Sequence, residues 1–270
     1  TMASDITAVN PNLQLQLSFT DIVYNEKDIF LRKLVLKNLD AVSRKVKVFF
    51  HQEFEIYQAR RGDTAYYDPI SQVLIHYKGR RCFLINCVSG NSGFTDYSVG
   101  LFNIEGKEGT YKDAEDGQLS QNSIEHGLVD SVLGHTCDLS PHQSATVYYW
   151  LTAAKLISDV LALNQYVLDK TPQYLLKSTQ DFWKAWINRR KFSFFKLPPP
   201  VIDLFKKSLL VLRAHTDNRG GVIASGDSDL LKYGRDTYSY VWPRDAAFCI
   251  MALDIAGDST VARRFFEFAN

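Results

Sequence analysis

Up to about residue 152 the apolar side chains of this 270-residue chain recur at every second position, and beyond it at every third or fourth. The first habit belongs to strands with one buried face and the second to helices with a buried stripe, so the chain reads as β structure followed by α structure. Leu13, Leu15, Leu17 and Phe19 alternate with Gln14, Gln16 and Ser18, and the pattern continues through Leu34 and Leu36, then Val46, Val48 and Phe50. Residues 73–77, 82–87 and 145–152 complete the series, and Asn38-Leu39-Asp40, Arg61-Gly62-Asp63, Lys78-Gly79 and residues 89–93 supply turns between the runs. Short strands with no helical interlude make an antiparallel β-sandwich the expected fold of residues 1–152, in preference to a barrel.

The second half is punctuated like helices. Residues 154–168 suit a short one, and Thr171-Pro172 offers an N-cap followed by proline at the first helical position. Leu175, Phe182 and Trp186 follow at helical spacing, so 153–200 is expected to be a helical linker. Pro198, Pro199 and Pro200 should break that pattern. Beyond them Ile202, Phe205, Leu209 and Leu212 mark one face of a further helix. Pro243 can open another that Gly257 ends, and a last one begins near Ser259 with Val261, Phe265 and Phe268 on one side. Residues 246–255 are apolar nearly all round; such a helix needs neighbours on every side, so the native chain is expected to continue past Asn270.

Composition narrows the function classes. Thirty-one basic and thirty acidic side chains leave no field that would draw nucleic acid or an anionic membrane, while a neutral, hydroxyl-rich ligand remains compatible. No run approaches the ~18 apolar residues of a membrane span, and no signal peptide is visible. Cys82 and Cys87 lie at odd separation in one strand and so point to opposite faces; with Cys137 and Cys249 they read as buried free thiols in a reducing, cytoplasmic setting. Neither the cysteines nor the six histidines have metal-site spacing, and no metal or other cofactor is expected. The acidic run Asp113-Ala114-Glu115-Asp116 lacks the alternating ligand spacing of an EF-hand loop and reads as a solvated turn rather than a calcium site.

The densest chemistry sits just before the Pro243 helix. If residues 238–242 are extended, Tyr238, Tyr240 and Trp242 fall on one side, with Arg244 and Asp245 beside them. Aromatic faces stack on the C–H faces of a pyranose, and a guanidinium–carboxylate pair takes bidentate bonds from its hydroxyls. A purely structural reading stands beside this one. Asp245 suits a helix N-terminus, Arg244 could pair with a neighbouring acid, and Trp242 could anchor a core.

Residues 233–248, YGRDTYSYVWPRDAAF, with GGVIAS at 220–225 upstream, resemble the start of the catalytic domain of glycoside hydrolase family 15. FFHQEFEI at 49–56, GDTAYYDP at 62–69, HYKG at 76–79 and GKEGTYKDAEDG at 106–117 look like the sandwich domain of its prokaryotic, glucoamylase-like branch. The resemblance implies an inverting hydrolase in which residues 201–270 begin an (α/α)6 toroid, the rest of the catalytic domain being a partner in the native chain. It implies an α-glucan or maltooligosaccharide substrate, with Arg244 and Asp245 holding the 4- and 6-hydroxyls of the terminal glucose and Trp242 and Tyr238 walling the pocket. The family's sandwich begins earlier than Thr1, and its two catalytic glutamates lie well downstream of the motif. No catalytic residue is therefore expected among residues 1–270, and Glu105, Glu108, Glu115 and Glu125 are set aside as belonging to the sandwich. A trehalase or other α-glucosidase of the same fold, or a non-catalytic carbohydrate-binding or scaffold module, remains an alternative. Residues 60–69 read as a loop that brings Tyr66, Tyr67 or Asp68 to the mouth of the pocket, or else as a docking or surface loop; its Arg61-Gly62-Asp63 triplet as an adhesion motif is a further reading.

Overall fold

The change of period becomes a change of architecture. The computed structural model describes residues 2–59, 61–104, 106–226 and 240–270. They form two compact units, Ala3–Gln180 and Asp181–Asn270, the latter joined by Met2.

The first unit is built from antiparallel strands. A large sheet runs in the order β1 (Ile6–Asn10), β2 (Leu15–Val23), β3 (Ile29–Asn38), β12 (Ser144–Ala154), β7 (Arg81–Ser89), β6 (Val73–Lys78), β5 (Asp63–Asp68), β10 (Ile124–Gly127), with the two-residue β8 (Ser92–Gly93) on β7. A small sheet runs β4 (Arg44–Glu53), β11 (Val129–Leu139), β9 (Asp96–Leu101). Alternation decides which side chains meet. Leu34 and Leu36 of β3, Ile85 and Cys87 of β7, and Val147 and Tyr149 of β12 face the small sheet, where Phe50, Val99, Val129 and Leu133 meet them. Phe50 and Tyr149 stack across the gap at 4.6 Å. The intervening residues of the same strands, Ile29, Leu31, Leu84, Tyr148 and Trp150, face the other way.

That second face is covered by helices. Val160 and Val167 of α1 (Ile157–Lys170) and Leu175 of α2 (Pro172–Asn188) are fully buried against it. The unit therefore has three layers, and its central sheet is buried on both sides. A fixed point between layers is Asn164 of α1, whose side-chain oxygen accepts from Trp150 Nε1 at 2.9 Å and Asn86 Nδ2 at 3.1 Å. The Thr171 hydroxyl accepts the Tyr174 amide at 3.3 Å with Pro172 opening α2, as the sequence suggests.

Three expectations need correction. Residues 63–68 are not loop but strand β5, paired with β6 and β10, because Asp-Thr-Ala-Tyr-Tyr-Asp has the aromatic content a pleated surface favours. Leu13 lies in the β1–β2 turn, so its strand begins at Leu15. The proline run does not exclude a helix: α3 (Pro199–Ala214) takes Pro198 as N-cap and Pro199 and Pro200 into its first turn, where an amide hydrogen has no intrahelical partner to lose.

In the second unit α3, α4 (Pro243–Ile255) and α5 (Ser259–Ala269) share a core of Leu209, Leu210, Ala246, Ile250, Leu253, Val261 and Phe265, with Ile187 from the end of α2. Gly257 ends α4 in a left-handed cap: its amide donates to Asp254 O and the Asp258 amide to Leu253 O, both at 2.8 Å. Ion pairing of Arg189 with the buried Asp258 at 2.5 Å ties the same corner.

Candidate functional site

The Trp242–Asp245 segment is delivered by a short antiparallel contact. Ile223 and Val241 form a β-bridge, and the Ala224 amide donates to Tyr240 O at 3.1 Å. Trp242 is extended and serves as the N-cap of α4; its carbonyl accepts the Ala246 amide at 2.9 Å, the first helical bond. Pro243 takes the first helical position, where its fixed φ is already helical. Arg244 and Asp245 thus stand in the first turn with their side chains outward.

Their surroundings bear on the structural readings. Tyr240 and Trp242 are 53% and 44% exposed, and it is Ala246, Ile250 and Leu253 that anchor the helix in the core. The Arg244 and Asp245 side chains are 80% and 49% exposed and approach each other at 3.5 Å. An ion pair that long and that wet contributes about 0–1 kcal/mol. Two part-exposed aromatic rings, a guanidinium and a carboxylate therefore stand together at a helix start, and the one ion pair between Arg244 and Asp245 is weak. Tyr238 lies outside the described residues. Burial raises the pKa of the Cys249 thiol, one turn on, and nearby Asp245 adds to the shift.

The other candidates are occupied elsewhere. Tyr66 and Tyr67 are neighbours on β5 and so point to opposite faces of the large sheet. Tyr66 packs edge-on to Tyr77 at 6.2 Å, and Tyr67 stacks on Tyr97 at 4.0 Å. Asp68 folds the β5–β6 hairpin, its carboxylate accepting the amides of Ile70 and Ser71, each at 3.3 Å. Asp63 is 1% exposed and paired with Lys78 at 2.8 Å, which removes the triplet at 61–63 from any adhesive role. The turn Asp113–Asp116 spends its outer carboxylates on its own backbone, Asp113 on the Ser120 amide at 2.7 Å and Asp116 on that of Gln118 at 2.8 Å. Among the described residues no three His, Cys, Asp or Glu side chains come together as a metal site would require. Glu108 and Glu115 both pair with Lys112, and Glu125 accepts Asn122 Nδ2 at 3.1 Å; Glu105 lies outside the described residues.

Sequence reasoning missed what the sandwich interior holds. Asp130, fully buried on β11, accepts the Thr110 amide at 2.6 Å, the Thr110 hydroxyl at 2.9 Å and His51 Nε2 at 2.8 Å. Ser131 beside it donates to Gln52 at 3.0 Å and meets His76 Nε2 at 2.7 Å. Above His76 lies an aromatic hollow between the end of β4 and the start of β7, lined by Phe54, Tyr57, Arg81 and Phe83, with a volume of about 490 Å³. No local signal marks it, because its walls come from segments distant in sequence.

A layered antiparallel sandwich leading through a helix into an α-helical unit is a glycoside hydrolase-like fold, and similarity to known proteins carries that statement. An uncharacterized glycosyl hydrolase of Methanocaldococcus jannaschii is 22% identical over 258 residues, which is 93% of this chain and 40% of that protein. The structure of a bacterial glucoamylase complexed with acarbose superposes with a TM-score of 0.75 at 16% identity, covering 100% of this chain and 39% of that one. A putative kojibiose phosphorylase from the human microbiome reaches a TM-score of only 0.40 at 8% identity over 66% of this chain and 22% of its own, too low a likeness to bear on the fold. The chain thus spans about two-fifths of the length of its hydrolase relative. No protein-family model matches it.

Proposed function

We propose that this chain is part of an inverting, glucoamylase-like glycoside hydrolase that releases glucose from the non-reducing ends of α-1,4-linked glucans or maltooligosaccharides. The observation that carries the reading is the outward display of Arg244 and Asp245 in the first turn of α4, directly beside the part-exposed ring of Trp242. Trp242 stacks on the terminal pyranose, Arg244 donates to its hydroxyls, and the Asp245 carboxylate accepts from them. The fold likeness to a glucoamylase bound to acarbose supports the choice of sugar, and the glycosyl hydrolase name of the archaeal relative supports the class of reaction.

Inverting hydrolysis needs an acid and a base roughly 6.5–9.5 Å apart, with room between for sugar and water. The proposal places both downstream of Asn270, as the resemblance to glycoside hydrolase family 15 implies; Glu108 and Glu115 pair with Lys112, and Glu125 accepts Asn122 Nδ2. Glucose release from maltotriose, measured for the 270-residue chain and for the complete gene product, tests this. Release by the complete product alone is expected; release by the 270-residue chain would require a working acid within it. In the complete product Arg244→Ala is expected to lower kcat/KM by at least ~10-fold, since a hydrogen bond to a charged group contributes roughly 1.5–3 kcal/mol.

A further inference from the structure

We propose that the hollow formed by Phe54, Tyr57, Arg81 and Phe83 is a second saccharide site, in the sandwich unit and made of none of the residues of the Trp242 segment; its choice of ligand rests on the function proposed above. The floor is aromatic: Phe54 and Phe83 stack at 4.8 Å and 15°. Phe83 lies on the face of β7 that also carries Ile85 and Cys87 toward the small sheet. The volume of about 490 Å³ falls within the roughly 300–1,000 Å³ usual for small-molecule sites. It is too small for a protein partner, whose interface would cover about 800 Å² on each side.

The wall is held at a conformational cost. Tyr57 has φ 61° and ψ 22°, a left-handed backbone that a bulky residue adopts only when its surroundings enforce it, yet its side chain is 56% exposed. The enforcement is visible. The Ile56 amide donates to Asp63 Oδ2 at 3.0 Å, and Lys78 Nζ donates to the carbonyls of Ile56 and Ala59, each at 3.2 Å, and to that of Arg61. Asp63 and Lys78 are themselves paired, so a buried ion pair braces a turn whose product is an outward tyrosine ring. The Arg81 guanidinium lies 5.5 Å from that ring. The rim also carries Arg81 and Glu55, one cation and one anion. Aromatic faces for stacking beside side chains of both signs match a neutral pyranose better than a phosphate or a charged peptide.

Maltoheptaose titrated into the 270-residue chain by calorimetry tests the assignment, with Tyr57→Gly, Arg81→Ala and Arg244→Ala alongside. Glycine accepts the left-handed backbone, so Tyr57→Gly removes the ring while leaving the turn free to keep its shape, and its thermal midpoint should not fall. Binding in the millimolar range or tighter is expected for the parent chain, weakened about tenfold or more by Tyr57→Gly and by Arg81→Ala, with a component that survives Arg244→Ala. Parent-like titration of Tyr57→Gly overturns the site, as does absence of binding at about 10 mM sugar. Loss in Arg244→Ala alone overturns this site and upholds the Trp242 reading. Loss in Tyr57→Gly alone upholds this site and counts against the other.

Discussion

A histidine deprived of water and given no full counter-charge stays neutral, and His76 illustrates the consequence. Burial lowers its pKa to about 3, overcoming the opposing pull of Asp130 and helped by His51. Because Ser131 gives its proton to Gln52, His76 Nε2 is the donor to Ser131. An unfolded histidine titrates near 6.5, so between about pH 6.5 and pH 3 the unfolded chain binds a proton that the folded chain does not. This contribution to stability is complete above about pH 6.5 and declines by ~1.4 kcal/mol per unit as pH falls. We expect urea midpoints to drop between pH 7 and pH 5 by the equivalent of ~2 kcal/mol, and this component to vanish in His76→Gln. None of it is legible in the string of letters, where His76 sits inside an unremarkable apolar strand. Trp242, Arg244 and Asp245 were legible as a candidate group, because their types and close spacing can be read without any distant contact.

Among elements, the helices that cover the large sheet and the glycines that shape the helical unit make the sharpest predictions. Asn164 joins α1 to β12 and β7 through two buried donors. Asn164→Ala leaves both Trp150 Nε1 and Asn86 Nδ2 unpaired, which should cost about 2–5 kcal/mol in chemical denaturation. Gly220 has φ 102°, and a Cβ there would lie 2.3 Å from the backbone of Arg264 in α5. Backbone cannot swing aside as a side chain does, so Gly220→Ala should cost more than about 3 kcal/mol and strip helix signal from the melt of residues 181–270. Alternation revealed β2, started two residues too early, with β3 and β4, and runs rich in apolar, β-branched and aromatic residues revealed β6, β7 and β12. Both signals missed β11, which carries Asp130, Ser131 and His135 in an almost wholly buried strand. With polar residues among its buried positions, β11 shows neither alternation nor an apolar run.

At the scale of the whole molecule, two units with separate cores need not unfold together. Trp183, Trp186 and Trp242 belong to residues 181–270, and Trp150 alone to the sandwich unit. The helical unit has the smaller core and leaves Phe248, Met251 and Ile255 of α4 exposed. Tryptophan fluorescence should therefore report a lower denaturant midpoint than the strand signal in far-UV circular dichroism, and coincident curves would show one cooperative unit instead. The sequence by itself determined the order of β and then α structure, the opposite facing of Cys82 and Cys87, and the proline start and glycine stop of α4. Each follows from local periodicity or from one residue's backbone preference. Tertiary structure alone decided that α1 and the start of α2 form a layer on the sheet, that the tyrosines of β5 serve packing, and that Phe54, Tyr57, Arg81 and Phe83 share a hollow. Those outcomes depend on which distant surfaces exclude water from one another, and no local pattern encodes that choice.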